Sequence, residues 1–95
     1  MSTDSDPEIE RLRERLTELD VEIVAAFNTR LELVAELKAV KEARGLGFLD
    51  PAREEWLREH LAQANRGPLS PEGLRELHAT LLDLTKREVG RGGAG

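Results

Sequence analysis

Residues 9–40 decide the fold, and they read IERLRERLTELDVEIVAAFNTRLELVAELKAV. Ten positions in this stretch repeat at alternating gaps of three and four residues, the spacing that lays one stripe along one side of an α-helix. The ten are Ile9, Leu12, Leu16, Leu19, Ile23, Ala26, Arg30, Leu33, Leu37 and Val40. Nine of them are apolar, and Arg30 is the exception. The stretch therefore predicts one long helix whose apolar stripe carries a single cation.

Arg30 raises the question of what neutralises a cation within that stripe. A guanidinium keeps its proton, so a buried one requires an anion beside it. One interpretation is a glutamate side chain, or an arginine that extends its charged end to solvent. The other is an anionic ligand, and the spacing alone leaves both open.

Composition limits the classes of protein to which the chain can belong. Its 95 residues favour one domain, and the 39% apolar and 35% charged content fits a helical protein. A formal net charge of −5 and only three aromatic residues argue against nucleic acid and membrane surfaces as partners. With no cysteine, no secretory signal and no apolar run of about 20 residues, we expect a cytoplasmic protein.

Three helices are predicted by one local signal, a capping side chain followed by proline. The signal occurs at Asp6-Pro7, Asp50-Pro51 and Ser70-Pro71. The cap accepts a hydrogen bond from an otherwise unpaired N–H, and the proline stands where its missing N–H costs nothing. With no strand pattern in the chain, we expect an all-α fold with helices over about residues 7–44, 51–65 and 71–89.

The length of the first helix predicts that two chains pair. At 1.5 Å per residue it would be roughly 57 Å long, farther than a small domain is wide. Two shorter helices could not cover its stripe, so we expect the long helices of a homodimer to pack against each other. Residues 7–89 would form the helical domain, with a disordered N-terminus over 1–6 and a flexible glycine-rich tail over 90–95.

Three cations are spaced along the first helix so that two could share one ligand. Lys41 lies eleven residues after Arg30, which places both on one face, roughly 16 Å apart along the axis. Arg13 shares the heptad position of Lys41 but lies 28 residues before it, roughly 42 Å away. One small molecule cannot touch both within one chain. If both bind it, one of them comes from a neighbouring subunit.

The start of the second helix has a mixed face. Its apolar half would point to the core and carry Arg53 and Glu54 toward it. Asp50 leaves free N–H groups in the first turn, and with the helix dipole they favour a hydroxyl or an anion. Elsewhere there is no nucleophile–base pair, no phosphate loop and no metal-ligand spacing around His60 or His78. No metal or cofactor is expected, so an enzyme of this kind would act by binding and electrostatics alone.

The ordered set of charges resembles the all-helical chorismate mutases, the AroQ class. The matching text is Arg13, Arg30, Lys41 and Asp50-x-x-Arg53-Glu54, with Leu12-Arg13-Glu14-Arg15-Leu16, Leu19-Asp20 and Arg30-x-x-Leu33-Val34 around it. The resemblance covers about residues 8–89. It implies an intertwined homodimer of three-helix chains, with two active sites that are each built from both subunits.

The resemblance implies a role for each matching residue. Arg30 would clamp one carboxylate of chorismate, and Arg13 would reach a carboxylate across the dimer. Lys41 would contact the ether oxygen and a carboxylate. The second helix would supply the groups at the ring hydroxyl and its pocket, which are Glu54, the backbone near Asp50, and Arg53.

The third helix departs from the family pattern. The family usually has a small hydroxyl residue there and a glutamine four residues later. Thr85 fits the hydroxyl, but Val89 stands four residues later and Glu88 three residues later. Either the register shifts by one and Glu88 takes the place of the glutamine as a catalytic group, or that contact is missing.

The implied reaction explains why the sequence needs no nucleophile. Chorismate rearranges to prephenate within one molecule, as one C–O bond breaks and one C–C bond forms. The protein would hold the folded conformer and stabilise the negative charge that grows on the ether oxygen. The same cations would serve an isochorismate-pyruvate lyase or a 4-amino-4-deoxychorismate mutase. A helical dimerisation module without catalysis is the alternative from another class.

Overall fold

The computed structural model describes residues 6–94. Every secondary-structure element in this range is an α-helix. α1 spans Pro7–Ala43, α2 spans Pro51–Ala64 and α3 spans Pro71–Ala94. The predicted all-α class with three helices is therefore confirmed. Two compact units share the chain, Met1–Leu33 and Val34–Gly95, and their boundary falls inside α1. Over the described range, none of the helices has the apolar length to cross a membrane.

Each helix begins at the cap that the sequence predicts. Asp50 Oδ1 accepts the Arg53 N–H at 3.0 Å, and Ser70 Oγ accepts the Gly73 N–H at 3.0 Å. Asp6 Oδ1 accepts the N–H two residues later at 2.9 Å. Each side-chain oxygen satisfies one N–H that has no partner inside the helix. The three starts are thus encoded by residues that lie next to them in the sequence.

The ends of α1 and α2 agree with the sequence to within one residue, whereas the end of α3 does not. α3 continues to Ala94, five residues beyond the predicted end at Val89. Glycine lowers helix propensity by about 1 kcal/mol but does not block helical geometry, and no proline follows Val89. The flexibility of residues 90–95 stays a prediction. Of the segment 1–6 that we expect to be disordered, 1–5 lie outside the described residues and Asp6 caps α1.

α1 ends in a hydrogen-bonded turn around Gly45. The Leu46 N–H donates to the Lys41 carbonyl at 2.8 Å, and the Gly45 N–H donates to the Glu42 carbonyl at 3.1 Å. These two bonds are those of a Schellman motif, which closes a helix on a residue with positive φ. Gly45 has a φ of +69°. The motif fixes the helical turn that carries Lys41.

The apolar stripe of α1 is exposed in both units. Leu16 and Ile23 of the first unit are 59% and 64% exposed, and Leu37 of the second is 50% exposed. Among the described residues the buried hydrophobic side chain is Val89. An apolar surface of this extent is typical of a protein–protein interface. The homodimer stays a prediction, and it is the arrangement that would cover this stripe.

Gly45→Ala should lower the free energy of unfolding by roughly 1–2 kcal/mol, because a Cβ is strained in left-handed backbone. Gly47→Ala is the matched control, since Gly47 has no left-handed backbone and an added Cβ there meets nothing within 4 Å. Urea unfolding of both variants at one fixed protein concentration measures the difference. Equal losses in the two variants would contradict the role of Gly45.

Candidate active site

Glu54 and Lys86 join α2 to α3. Glu54 lies in the first turn of α2, and its Oε1 is 3.6 Å from the Nζ of Lys86 on α3. This distance fits an ion pair and is too long for a direct hydrogen bond. The Glu54 side chain is 33% exposed and that of Lys86 48%. The carboxylate that we expect at the ring hydroxyl therefore has an ammonium group beside it.

Lys41 is half-buried in the last turn of α1. Its Nζ donates to the Phe48 carbonyl at 3.4 Å, in the segment that leads to α2. Lys38 contacts the same residue, with its Nζ 5.9 Å from the centre of the Phe48 ring. An ammonium group has three N–H donors, so one bond to a carbonyl orients Lys41 and leaves donors for a ligand.

Asp50 and Arg53 both serve α2 itself. The Asp50 carboxylate accepts the Arg53 N–H and so completes the first turn. The expectation that Arg53 turns toward the core together with Glu54 is wrong, because Glu54 is half-buried and Arg53 is exposed. Adjacent residues of a helix point about 100° apart. The part that Arg53 takes in binding a ligand stays a prediction.

Trp56 contacts two side chains on the exposed side of α2. The guanidinium carbon of Arg53 is 4.2 Å from the centre of the Trp56 ring, within the range of a cation–π contact. His60 stacks on the same residue, with ring centroids 4.8 Å apart and 10° between the planes. Trp56 is 48% exposed, so it is not a core residue of the single chain.

The buried face of α3 carries Thr85. His78, Thr85 and Val89 are 4%, 4% and 7% exposed and follow one another at spacings of seven and four residues. The Thr85 hydroxyl donates to the carbonyl one turn earlier in α3. Glu88 is half-buried at the edge of this face and forms an ion pair with Arg91. Thr85, Glu88 and Val89 thus occupy neighbouring positions on one side of α3.

Arg13 and Arg30 belong to the first unit, whereas the other candidate residues belong to the second. Arg30 is half-buried although Leu33, its neighbour in the stripe, is 60% exposed. Arg13 is exposed. Within this unit, Arg30 is therefore less exposed than Arg13, and its role as a carboxylate clamp stays a prediction.

Lys86 is the charged neighbour of the candidate site that sequence analysis missed. The spacing of an exposed lysine along one helix does not predict which residue of another helix it contacts. The contact with Glu54 depends on how α2 and α3 pack, which local sequence does not specify. The burial of His78 could have been found, because it lies seven residues, or about two turns, before Thr85.

Comparison with known proteins decides the family. The family model described as chorismate mutase type II matches residues 12–89. The chain belongs to this family. Its candidate residues, from Arg13 to Glu88, all lie inside the matched segment.

Solved chorismate mutase structures share the fold of the chain. Form II of chorismate mutase from Thermus thermophilus has a TM-score of 0.82 and 28% identity, and the match covers 88% of this chain and 96% of that one. Form I from the same organism has a TM-score of 0.79 and 29% identity, with 82% and 98% covered.

A curated relative is a bifunctional chorismate mutase/prephenate dehydratase from Stutzerimonas stutzeri. It is 29% identical over an alignment 80 residues long, and the match covers 79% of this chain. The chain spans 22% of the length of that relative. The similarity is therefore confined to one segment of a longer, bifunctional protein.

Proposed function

We propose that the chain is a cytoplasmic chorismate mutase that converts chorismate to prephenate as a homodimer. One observation carries the proposal. The match to the chorismate mutase type II family covers residues 12–89, the segment in which all the charged residues proposed for the site lie. The activity needs only groups that bind and polarise the substrate, and the chain offers such groups without a nucleophile–base pair.

Two arginines would hold the two carboxylates of the substrate. Arg30 would clamp one of them, since a guanidinium binds a carboxylate through two parallel hydrogen bonds. Arg13 of the other subunit would reach the second, because Lys41 follows Arg13 by 28 residues in the sequence, which corresponds to roughly 42 Å at 1.5 Å per residue. Gripping both ends would keep the substrate in the folded conformer that reacts.

Lys41 would supply the stabilisation of the transition state. As the C–O bond breaks, negative charge grows on the ether oxygen, and an ammonium group already aimed there lowers the barrier. The bond from Lys41 Nζ to the Phe48 carbonyl supports this role, because it orients the side chain before any ligand binds. Removing one preorganised donor of this kind typically costs about 10²–10³ in rate.

The start of α2 would recognise the ring hydroxyl. The Glu54 carboxylate would accept its hydrogen bond, and the N–H groups behind the Asp50 cap would contribute the positive end of the helix dipole. Arg53 and Thr85 would complete the pocket. The substrates of an isochorismate-pyruvate lyase and of a 4-amino-4-deoxychorismate mutase differ from chorismate in the ring substituent that this part of the site would contact. Incubation with each compound and identification of the product separates the three activities.

Arg30→Leu should abolish conversion of chorismate to prephenate while the protein stays folded and dimeric. The variant removes the proposed clamp and replaces a cation in the apolar stripe by an apolar side chain. Loss of chorismate absorbance measures turnover, and sedimentation measures the oligomer. Arg15→Leu is the matched control, because Arg15 is an exposed arginine of the same helix paired with Glu18. If Arg30→Leu keeps its activity, Arg30 does not clamp a carboxylate. A helical dimerisation module would instead be favoured by a wild type without turnover whose stability is unchanged or raised by Arg30→Leu.

Mixing inactive Arg13→Ala with inactive Lys41→Ala should restore activity. A mixed dimer would have one site free of both changes and one site with both, so random exchange would restore about a quarter of the wild-type sites. Differently tagged subunits show that exchange has taken place, and each variant incubated alone is the control. Complete exchange without recovery would argue against donation of Arg13 across the dimer.

Glu88→Gln should raise activity at neutral pH if Glu88 lies at the ether oxygen. An ionised carboxylate only accepts hydrogen bonds and repels the growing charge, whereas an amide donates. The wild-type rate should also rise toward acidic pH, and the rate of the variant should not. Glu76→Gln, at an exposed position of the same helix, is the control. Identical pH–rate profiles for all three proteins would place Glu88 outside the site.

A further inference from the structure

Lys86 is the cation that contacts the carboxylate at the start of α2. Its Nζ lies 3.6 Å from Glu54 Oε1. The neighbouring cations of α3 have other partners, since Arg87 pairs with Asp83 and Arg91 pairs with Glu88. Lys86 is therefore the α3 side chain whose charge acts most directly on Glu54.

We propose that Lys86 sets the specificity of the site, by making Glu54 accept a neutral hydroxyl in preference to an ammonium group. The proposal rests on the proposed function, in which Glu54 recognises the ring substituent. Lys86 acts through Glu54 and does not itself bind the substrate, so it is a positioning residue. The two compounds that it distinguishes are chorismate and 4-amino-4-deoxychorismate, which differ by a hydroxyl or an ammonium group on the ring.

A carboxylate without a counterion would favour the wrong compound. It attracts an ammonium group by Coulomb interaction as well as by a hydrogen bond, whereas a hydroxyl offers the hydrogen bond alone. With Lys86 beside Glu54, an ammonium group on the substrate that binds the same carboxylate is repelled by the ammonium group of Lys86. A neutral hydroxyl meets no such repulsion, so the preference shifts toward chorismate.

The same ammonium group favours binding of chorismate for a second reason. Chorismate carries two carboxylates, and Glu54 alone would add a third negative charge near them. The ion pair compensates that charge while one oxygen of Glu54 stays available as an acceptor. Loss of Lys86 should therefore weaken the use of chorismate and favour the aminated compound at the same time.

The test compares kcat/KM for the two compounds in the wild type and in Lys86→Met. The ratio of kcat/KM for the aminated compound to kcat/KM for chorismate should rise about two- to fivefold, the upper part of the range for ion pairs exposed to solvent. Lys86→Arg keeps the charge and should keep the ratio near that of the wild type. Arg87→Met also removes one positive charge, at the residue next to Lys86. Because Arg87 pairs with Asp83, this variant should leave the ratio unchanged.

A second comparison shows whether the effect passes through Glu54. In a Glu54→Gln background the amide is neutral, so Lys86→Met should no longer change the ratio. An unchanged ratio in Lys86→Met, or an equal change in Arg87→Met or in the Glu54→Gln background, would overturn the proposal. Lys86→Gln repeats the test if the methionine variant unfolds at a lower temperature.

Failure of the proposed function would be visible separately. If the wild type converts neither compound but binds them, the ratio of the two dissociation constants replaces the ratio of kcat/KM. The proposed function then fails, but the ratio of dissociation constants still tests whether Lys86 sets the specificity of the site. Absence of both turnover and binding would overturn both proposals.

Discussion

The uncovered apolar stripe of α1 is the constraint on which the rest of the structure depends. α1 has 37 residues, and neither of the two units that share it buries the leucines of the stripe or Ile23. A chain of this size gains little stability from such a surface unless a second chain covers it. The proposed site would have the same requirement, because the 28 residues from Arg13 to Lys41 span too great a helical length for one small molecule to touch both within one chain. Covering the stripe and completing the site would thus be one event.

The candidate groups differ in which of their present contacts would have to break when a ligand binds. Lys41 is oriented by a main-chain carbonyl and Asp50 by a main-chain N–H, and both arrangements can persist in a complex. Such fixed groups lower a barrier without reorganising during the reaction. Arg53 is held over Trp56, and it would have to leave the ring to reach a carboxylate. We therefore expect α1 and the start of α2 to contribute most of the preorganisation.

Features that depend on neighbouring residues were predictable from the sequence, and features that depend on packing were not. The caps at Asp50 and Ser70 act within three residues, so the helix starts agree with the structure. The contact of Lys86 with Glu54 joins two helices whose packing no local pattern specifies. Propensity also fails at the end of α3, where glycines weaken the helix without ending it.

The cluster of Arg53, Trp56 and His60 gives the protein an optical reporter at the edge of the candidate site. Trp56 is the only tryptophan of the chain, so all indole fluorescence comes from this position. A guanidinium and an imidazole lie against the ring, 4.2 Å and 4.8 Å from its centre. Any ligand that draws Arg53 away changes the polarity around the indole and hence its emission. Binding at this end of α2 can therefore be followed on the unlabelled protein, separately from turnover.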